Sequence, residues 1–229
     1  MNRTIDQNEV RARRAHAYEN PRPEVQALVP RDARRVLDLG CSSGALGAAV
    51  KARQGAEVVG VEFDPSYAEA AGERLDGCVT ADVEELFADD PEGELGRFDC
   101  IVAADVLEHL RDPWATLRSA VRLLDQGGSV VVSLPNIRFW ETFWQLGRHA
   151  TFPRRDSGIF DATHLRFFTY SDALKLLEQA GLRVVEVSPQ YRVRPTVSGL
   201  DRITPLVART KLRTFFAFQY VMRALKDAA

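Results

Sequence analysis

Short apolar runs recur along this chain, separated by stretches whose apolar positions return with helical spacing. The runs at Arg35 to Leu39, Glu57 to Glu62, Gly77 to Ala81, Phe98 to Ala103, Ser129 to Leu134, Val184 to Pro189 and Phe215 to Leu225 predict seven strands. Strands alternating with helices imply a parallel sheet with helices on both faces, because each crossover must return the chain across the sheet. Caps mark the helices: Asp64-Pro65 before "SYAEAAGERL", Asp112-Pro113 before "WATLRSAVRLL", and Ser171 before "DALKLLEQAG", with Gly181 as the stop. The alternation breaks once, at residues 136–170, and an insertion of that length in a compact domain is usually a lid or binding element.

At 229 residues and 45% apolar content the chain is expected to form a single domain over 1–229, with N-terminal helices in 1–30. The net charge of -2 drives it onto neither nucleic acid nor membrane, although the charge is unevenly spread. Residues 62–112 carry sixteen Asp/Glu against three Lys/Arg, and residues 189–229 carry eight Lys/Arg against two Asp/Glu. Such runs are either solvated faces or the rims of a charged ligand site. The "RARR" near the N-terminus reads as a solvated helix face, and no basic motif interleaved with aromatics points to nucleic acid. Cys41, Cys78 and Cys100 form no C-x-x-C and read as reduced thiols. The polar N-terminus lacks the apolar core of a signal peptide, and no apolar stretch approaches the roughly 20 residues of a membrane span, so a cytoplasmic protein is expected.

In an open parallel sheet, ligands bind beyond the carboxyl ends of the strands where strand order reverses. Here those ends are polar. After strand one comes "DLGCSSG", in which Gly40 lets backbone approach a ligand and the turn feeds a helix N-terminus. Position 42 is Ser, which departs from the G-x-G-x-x-G that seats a pyrophosphate. Strand two ends at Glu62, where a carboxylate can accept both hydroxyls of a ribose, and Phe63 follows in position to stack on an adenine. Strand three runs into Asp82 and Val83, suited to an adenine amino group and ring nitrogen, while Asp38 can orient a cationic head or the turn itself. Singly, each is an ordinary turn or strand-end residue. Together they describe a nucleoside with a zwitterionic tail and no phosphate.

This set resembles the class I S-adenosylmethionine-dependent methyltransferases over nearly the whole chain. The matching segments are "VLDLGCSSG", "VVGVEFDP", "TADVEEL", "FDCIVAADVLEHLRDPWATLRSAVRLLDQGGSVVVSLPN" and "HLRFFTYSDALKLLEQAGLRVVEV". "GCSSG" departs from the family, which more often has a further Gly in this turn. "DSGIFDATHLRFFT" and "YENPRPEVQALVPRDARRVLDLG" look like a bacterial small-molecule subgroup linked with glycoside biosynthesis. The resemblance implies a Rossmann-like α/β fold, a doubly wound seven-stranded sheet with its last strand antiparallel and the insertion after strand five. It also implies a cofactor site of Tyr18, Asp38, Gly40, Cys41, Glu62, Phe63, Asp82, Val83 and Ala104 for S-adenosylmethionine and its product S-adenosylhomocysteine.

Methyl transfer from a sulfonium needs alignment and desolvation, and needs a base only when the nucleophile is a protonated oxygen. The candidates are His164 in the insertion, oriented by Asp161, and His109 after strand four. Each has a structural alternative, His164 as a lid residue and His109 as packing against the methionine portion. On a helical turn Asp105, Glu108 and His109 would share one face able to hold Mg2+, although no metal is assigned. Phe139, Trp140, Phe143 and Trp144 suit a helix packed on the sheet or a platform for a ring. Arg154 and Arg155 suit an anionic acceptor or solvent. The expected partner is a small-molecule acceptor, anionic or glycosylated, methylated at a hydroxyl of a sugar or glycosylated metabolite, and a homodimer is compatible with this reading. Transfer to the nitrogen of an amino sugar is the neighbouring alternative. An NAD-dependent oxidoreductase would need a cleaner Gly fingerprint, and a non-catalytic binding module would not need Gly40, Glu62 and Asp82 together.

Overall fold

The computed structural model describes residues 19–88, 95–191 and 213–227. Seven strands form one sheet in the order β3-β2-β1-β4-β5-β7-β6. These are β1 (Arg35–Leu39), β2 (Glu57–Glu62), β3 (Gly77–Thr80), β4 (Phe98–Ala104), β5 (Leu124–Pro135), β6 (Leu182–Tyr191) and β7 (Ala217–Lys226). β1 pairs in parallel with β2 and β4, β2 with β3, and β4 with β5, whereas β7 runs antiparallel between β5 and β6. The expected antiparallel last strand is therefore present. It begins two residues later than its apolar run, because Arg213–Phe216 closes a helical turn first.

β1 and β4 carry apolar residues at consecutive positions, Val36-Leu37 and Cys100 to Ala104, because both sheet faces are covered. Leu37, Leu39, Ile101 and Ala103 join one core, and Val36, Val58, Cys100 and Val102 join the other. The helices are α1 (Pro23–Gln26), α2 (Ala45–Gln54), α3 (Pro65–Arg74), α4 (Val83–Ala88), α5 (Pro113–Arg122), α6 (Trp140–His149) and α7 (Tyr170–Gln179). Asp64 and Asp112 cap α3 and α5 as their sequences predict, accepting from Ser66 N and Ala115 N. Ser171, by contrast, lies inside α7. Thr169 is the cap, because its hydroxyl accepts from Asp172 N while the Asp172 carboxylate accepts from Thr169 N, a reciprocal pair Ser171 cannot make. Of the N-terminal helices expected in 1–30, α1 is described; residues 1–18, Tyr18 among them, lie outside the described residues.

The segment 136–170 leaves β5 and returns beside it through a bridge between Asn136 and Phe168. Asn136 is buried and donates to the carbonyls of Thr214 and Ala217, which ties the segment's start to the start of β7. Its aromatic set divides. Phe139 and Trp140 are buried against Ile159, Phe160 and Phe216, while Phe143 and Trp144 are about half exposed on the outer side of α6. Arg155 pairs with Glu141 at 2.7 Å and Arg154 donates to the Ala162 carbonyl, so both serve the fold of this segment. Among the described residues no helix is long and apolar enough to cross a membrane.

Candidate functional site

Strand order reverses between β1 and β4, and a cavity of about 590 Å³ opens at their carboxyl ends. Its first wall is the turn after β1. Gly40 has φ +62°, and a Cβ there would lie 2.5 Å from a Val106 methyl, so both conformation and space require glycine. Ser42 also sits in the left-handed region, at φ +50°, which is why a glycine is the commoner choice in such turns. Ser42 N donates to Glu62 Oε2 at 2.8 Å and Asp64 N donates to Oε1 at 2.9 Å. Glu62 is thereby fixed at the end of β2, with lone pairs on both oxygens still available to a ligand.

Asp38 lies on the same wall and is only 3% exposed. Burial pushes its carboxyl up to about 7, the Glu62 charge adds to this, and Arg22 opposes it. Cys41 and Ala104 also line the cavity. Phe63, Asp82 and Val83 do not. Phe63 is 71% exposed, Val83 is buried in the core, and Asp82 Oδ1 accepts from Glu84 N and Glu85 N as the cap of α4.

A second wall joins four elements through one carboxylate. Asp105, at φ +59° just beyond β4, receives Arg22 Nη1 at 2.6 Å, Ser133 Oγ at 2.9 Å and Gln219 Nε2. Arg22 also contacts Glu24 at 2.6 Å, and among the described residues it is the single Arg or Lys that lines the cavity. Asp105 consequently does not share a face with Glu108 and His109. The helical turn covers only Leu107–His109, and the Asp105 carboxylate faces Arg22, so the Asp105, Glu108 and His109 set suggested by spacing does not form.

The third wall is built by the insertion. Leu165 N and Arg166 N both donate to the Glu108 carbonyl at 2.9 Å, which fastens the 161–166 loop over the turn after β4. His164 and His109 meet edge to face with ring centres 4.7 Å apart. His109 Nδ1 lies 3.3 Å from the Thr163 carbonyl and 3.1 Å from its hydroxyl, which in turn donates to Asp161 Oδ1 at 2.6 Å. His164 Nδ1 lies 3.3 Å from the Ile159 carbonyl, and its Nε2 is 3.9 Å from Glu108 Oε1. Asp161 reaches His109 through the Thr163 hydroxyl, and its charge also acts on His164, the ring its place in the sequence suggests. Burial lowers the His164 pKa, reinforced by His109, and burial raises that of Glu108. Ligand atoms of Glu108, His109 and His164 all lie within 4.8 Å of one another.

The structure therefore brings together Asp38, Gly40, Cys41, Glu62, Ala104, His109, Asp161 and His164 around one space. Arg22, Ser133 and Gln219 escape sequence reasoning because their shared partner, Asp105, is 83, 28 and 114 residues away. The only local hint of Arg22 is its place between two prolines in "NPRPE".

A family described as a methyltransferase domain matches residues 11–187. Among relatives, proteins named ubiquinone biosynthesis O-methyltransferase are 36% identical over 118 residues in Xanthomonas campestris and 34% over 105 residues in Pseudomonas aeruginosa. These matches cover 49% and 45% of this chain, and the chain spans about half the length of these relatives, 47% and 45%. Among solved structures, an S-adenosylmethionine-dependent methyltransferase from Archaeoglobus fulgidus superposes with a TM-score of 0.59 at 19% identity, covering 96% of this chain and 93% of that one. Magnesium protoporphyrin IX methyltransferase from Synechocystis, with bound S-adenosylhomocysteine, gives 0.60 at 15% identity over 99% and 90%.

Proposed function

The chain belongs to the methyltransferase-domain family, with S-adenosylmethionine as its cofactor, and from that premise we propose that it methylates a hydroxyl of a small molecule. The observation that carries this reading is the continuity of the cavity from Asp38 and Glu62 at one end to Glu108, His109 and His164 at the other. Glu62 receives the ribose hydroxyls as charge-assisted hydrogen bonds. Asp38 faces the ammonium of the methionine tail, and Arg22 supplies the cation for its carboxylate. The sulfonium methyl then points toward the histidine wall, where an acceptor oxygen loses its proton and displaces sulfur in line.

On this reading the adenine lies beyond the described cavity, toward Phe63, Asp82 and Val83, and the pairing of β3 with β2 up to Glu62 supports it by bringing that end of the chain beside the carboxylate. Residues 136–170 form the acceptor side of the domain. The names of the relatives favour transfer to oxygen, and a sugar acceptor draws no support from them.

The test is calorimetry with S-adenosylmethionine, S-adenosylhomocysteine and NAD. It is followed by a screen of hydroxylated quinone precursors and glycosylated alcohols, read by release of S-adenosylhomocysteine. Binding of the two sulfur compounds and not NAD is expected. On the best acceptor, His164→Ala is expected to lower turnover by about 10²- to 10⁴-fold, the usual worth of a group handling a proton, with cofactor affinity nearly unchanged. Full turnover in that variant would move the acceptor away from the histidine wall.

A further inference from the structure

Cys41 and Cys78 are 37 residues apart in the sequence, yet their sulfurs lie 3.8 Å from each other. Cys41 stands in the turn after β1 and lines the cavity, and Cys78 is half-buried on β3, the edge strand. β2 runs between them, and its Gly60 is in register with Cys78. A Cβ on Gly60 would lie 2.5 Å from Cys41 Sγ, so the glycine leaves the gap through which one sulfur reaches the other.

We infer that Cys41 and Cys78 are a modification site: a peroxide joins them in a disulfide across Gly60, and the bond weakens binding of the cofactor. The chemistry starts at Cys78. A hydrogen bond from Cys41 lowers the Cys78 pKa, although burial and the charges of Glu62 and Asp38 oppose this. The same hydrogen bond, with burial, pushes the Cys41 thiol up, so Cys41 keeps the proton. The Cys78 thiolate attacks one peroxide oxygen, the O–O bond breaks and hydroxide leaves, which makes Cys78 a sulfenic acid. The Cys41 sulfur then displaces the hydroxyl: the S–S bond forms as the S–O bond breaks, and the hydroxyl departs with the Cys41 proton as water. The two sulfurs lose two electrons and the peroxide gains them, and the hydroxide takes up the proton that Cys78 had released. Reducing thiols reverse the bond by exchange.

Closing 3.8 Å to a bond of about 2.05 Å brings the sulfurs about 1.8 Å nearer. β3 is tied to β2 at four consecutive positions, whereas Cys41 is held on β2 by its N–H on the Val61 carbonyl at 3.1 Å, so the turn is the side that yields. The next residue is Ser42, whose N–H holds Glu62 Oε2 at 2.8 Å. Drawing Cys41 toward β3 takes that N–H off Glu62. The effect on the cofactor rests on the reading of Glu62 as the acceptor of the ribose hydroxyls. Linkage then requires bound S-adenosylhomocysteine to disfavour the disulfide by the factor with which the disulfide weakens its binding.

The experiment treats the full chain with hydrogen peroxide, removes the oxidant and counts free thiols in denaturant without reductant. Calorimetry with S-adenosylmethionine is run on the reduced protein, on the oxidised protein and after dithiothreitol. The chain has three cysteines, so the count is expected to fall from three to one, leaving Cys100, whose thiol is buried and pushed up to about 12. Affinity is expected to weaken by about 5- to 150-fold, the usual range of coupling between two sites, and to return with dithiothreitol. Cys78→Ser changes a residue that does not line the cavity, and should bind as the reduced protein does both before and after peroxide. Melting curves establish that the variant is folded. Three thiols retained, a disulfide between copies on a non-reducing gel, or equal affinity in the oxidised and reduced protein would each overturn the inference. Affinity lost to peroxide in Cys78→Ser would do the same, because the damage would then lie elsewhere. If the count falls to one but the reduced protein binds no S-adenosylmethionine, the reading of the cavity fails and the disulfide itself stands.

Discussion

Asp38 and Glu62 show what single residues declare and what they conceal. A carboxylate at the end of a buried apolar strand is visible in the sequence because its surroundings are local, and both residues lie where their strands predict. Asp38 carries more than position, because burial first and the Glu62 charge second raise its carboxyl to about 7. With the folded value above the unfolded one, its protonated form stabilises the free protein below about pH 4, and that contribution is lost as pH rises through 7. A cationic ligand takes the opposite side, because an ammonium pairs with the ionised form. Affinity for S-adenosylmethionine is therefore expected to rise about tenfold per unit up to pH 7, then to fall once the ligand's amino group, near 7.7–8.0 in ordinary α-amines, loses its proton. Calorimetry from pH 5.5 to 8.5 checks this, and Asp38→Asn should flatten the rising limb. A flat profile in the unaltered protein would separate Asp38 from the ammonium.

The elements were legible in proportion to how local their causes are. Asp64 and Asp112 cap their helices within three residues, whereas the end of β5 and the start of β7 depend on Asn136 reaching residues 78 and 81 positions away. The same distance hid the histidine wall. Helical spacing places Asp105 beside Glu108, but a single turn at Leu107–His109 and a left-handed Asp105 break that spacing, and only a loop 55 residues downstream completes the cluster. The Gly40 turn allows a test in which two small substitutions act in opposite directions. Gly40→Ala adds a left-handed penalty of about 1–2 kcal/mol to a methyl contact at 2.5 Å, an overpacking of about 1–3 kcal/mol, and is expected to lower the melting temperature by several degrees. Ser42→Gly relieves a left-handed residue whose buried hydroxyl has no partner among the described residues, and offsets this with roughly 0.5–1 kcal/mol of added chain freedom. It should leave the protein equal or slightly more stable. Scanning calorimetry of both variants reads the result, and a stabilising Gly40→Ala would show the turn to be wrongly described.

At the scale of the molecule, the order β3-β2-β1-β4-β5-β7-β6 makes the site, because the reversal between β1 and β4 opens the crevice that Glu62, Asp105 and the histidine wall enclose. Strand count and direction follow from the apolar runs and the family resemblance. Closure of the crevice depends on Arg22 from the N-terminal side, Gln219 from β7 and His164 from the insertion, three segments brought together only by tertiary structure. A ligand filling this space binds the folded chain alone and so stabilises all of it. At one hundred times its dissociation constant the gain is about 2.7 kcal/mol, and a domain of this size moves about 2–4 °C per kcal/mol, so S-adenosylmethionine and S-adenosylhomocysteine should each raise the melting temperature by roughly 5–11 °C. NAD should not, because its pyrophosphate would face Asp38 and Glu62. Glu62→Gln removes the charge and keeps an acceptor for only one of the two amides, Ser42 N or Asp64 N, while Glu62→Ala removes the charge and both acceptors and should weaken cofactor binding by about 1–3 kcal/mol. Each variant is judged against its own ligand-free melting point, which separates lost affinity from a loosened turn. A shift in Glu62→Ala equal to that of the unaltered protein at the same ligand concentration would remove Glu62 from the ribose.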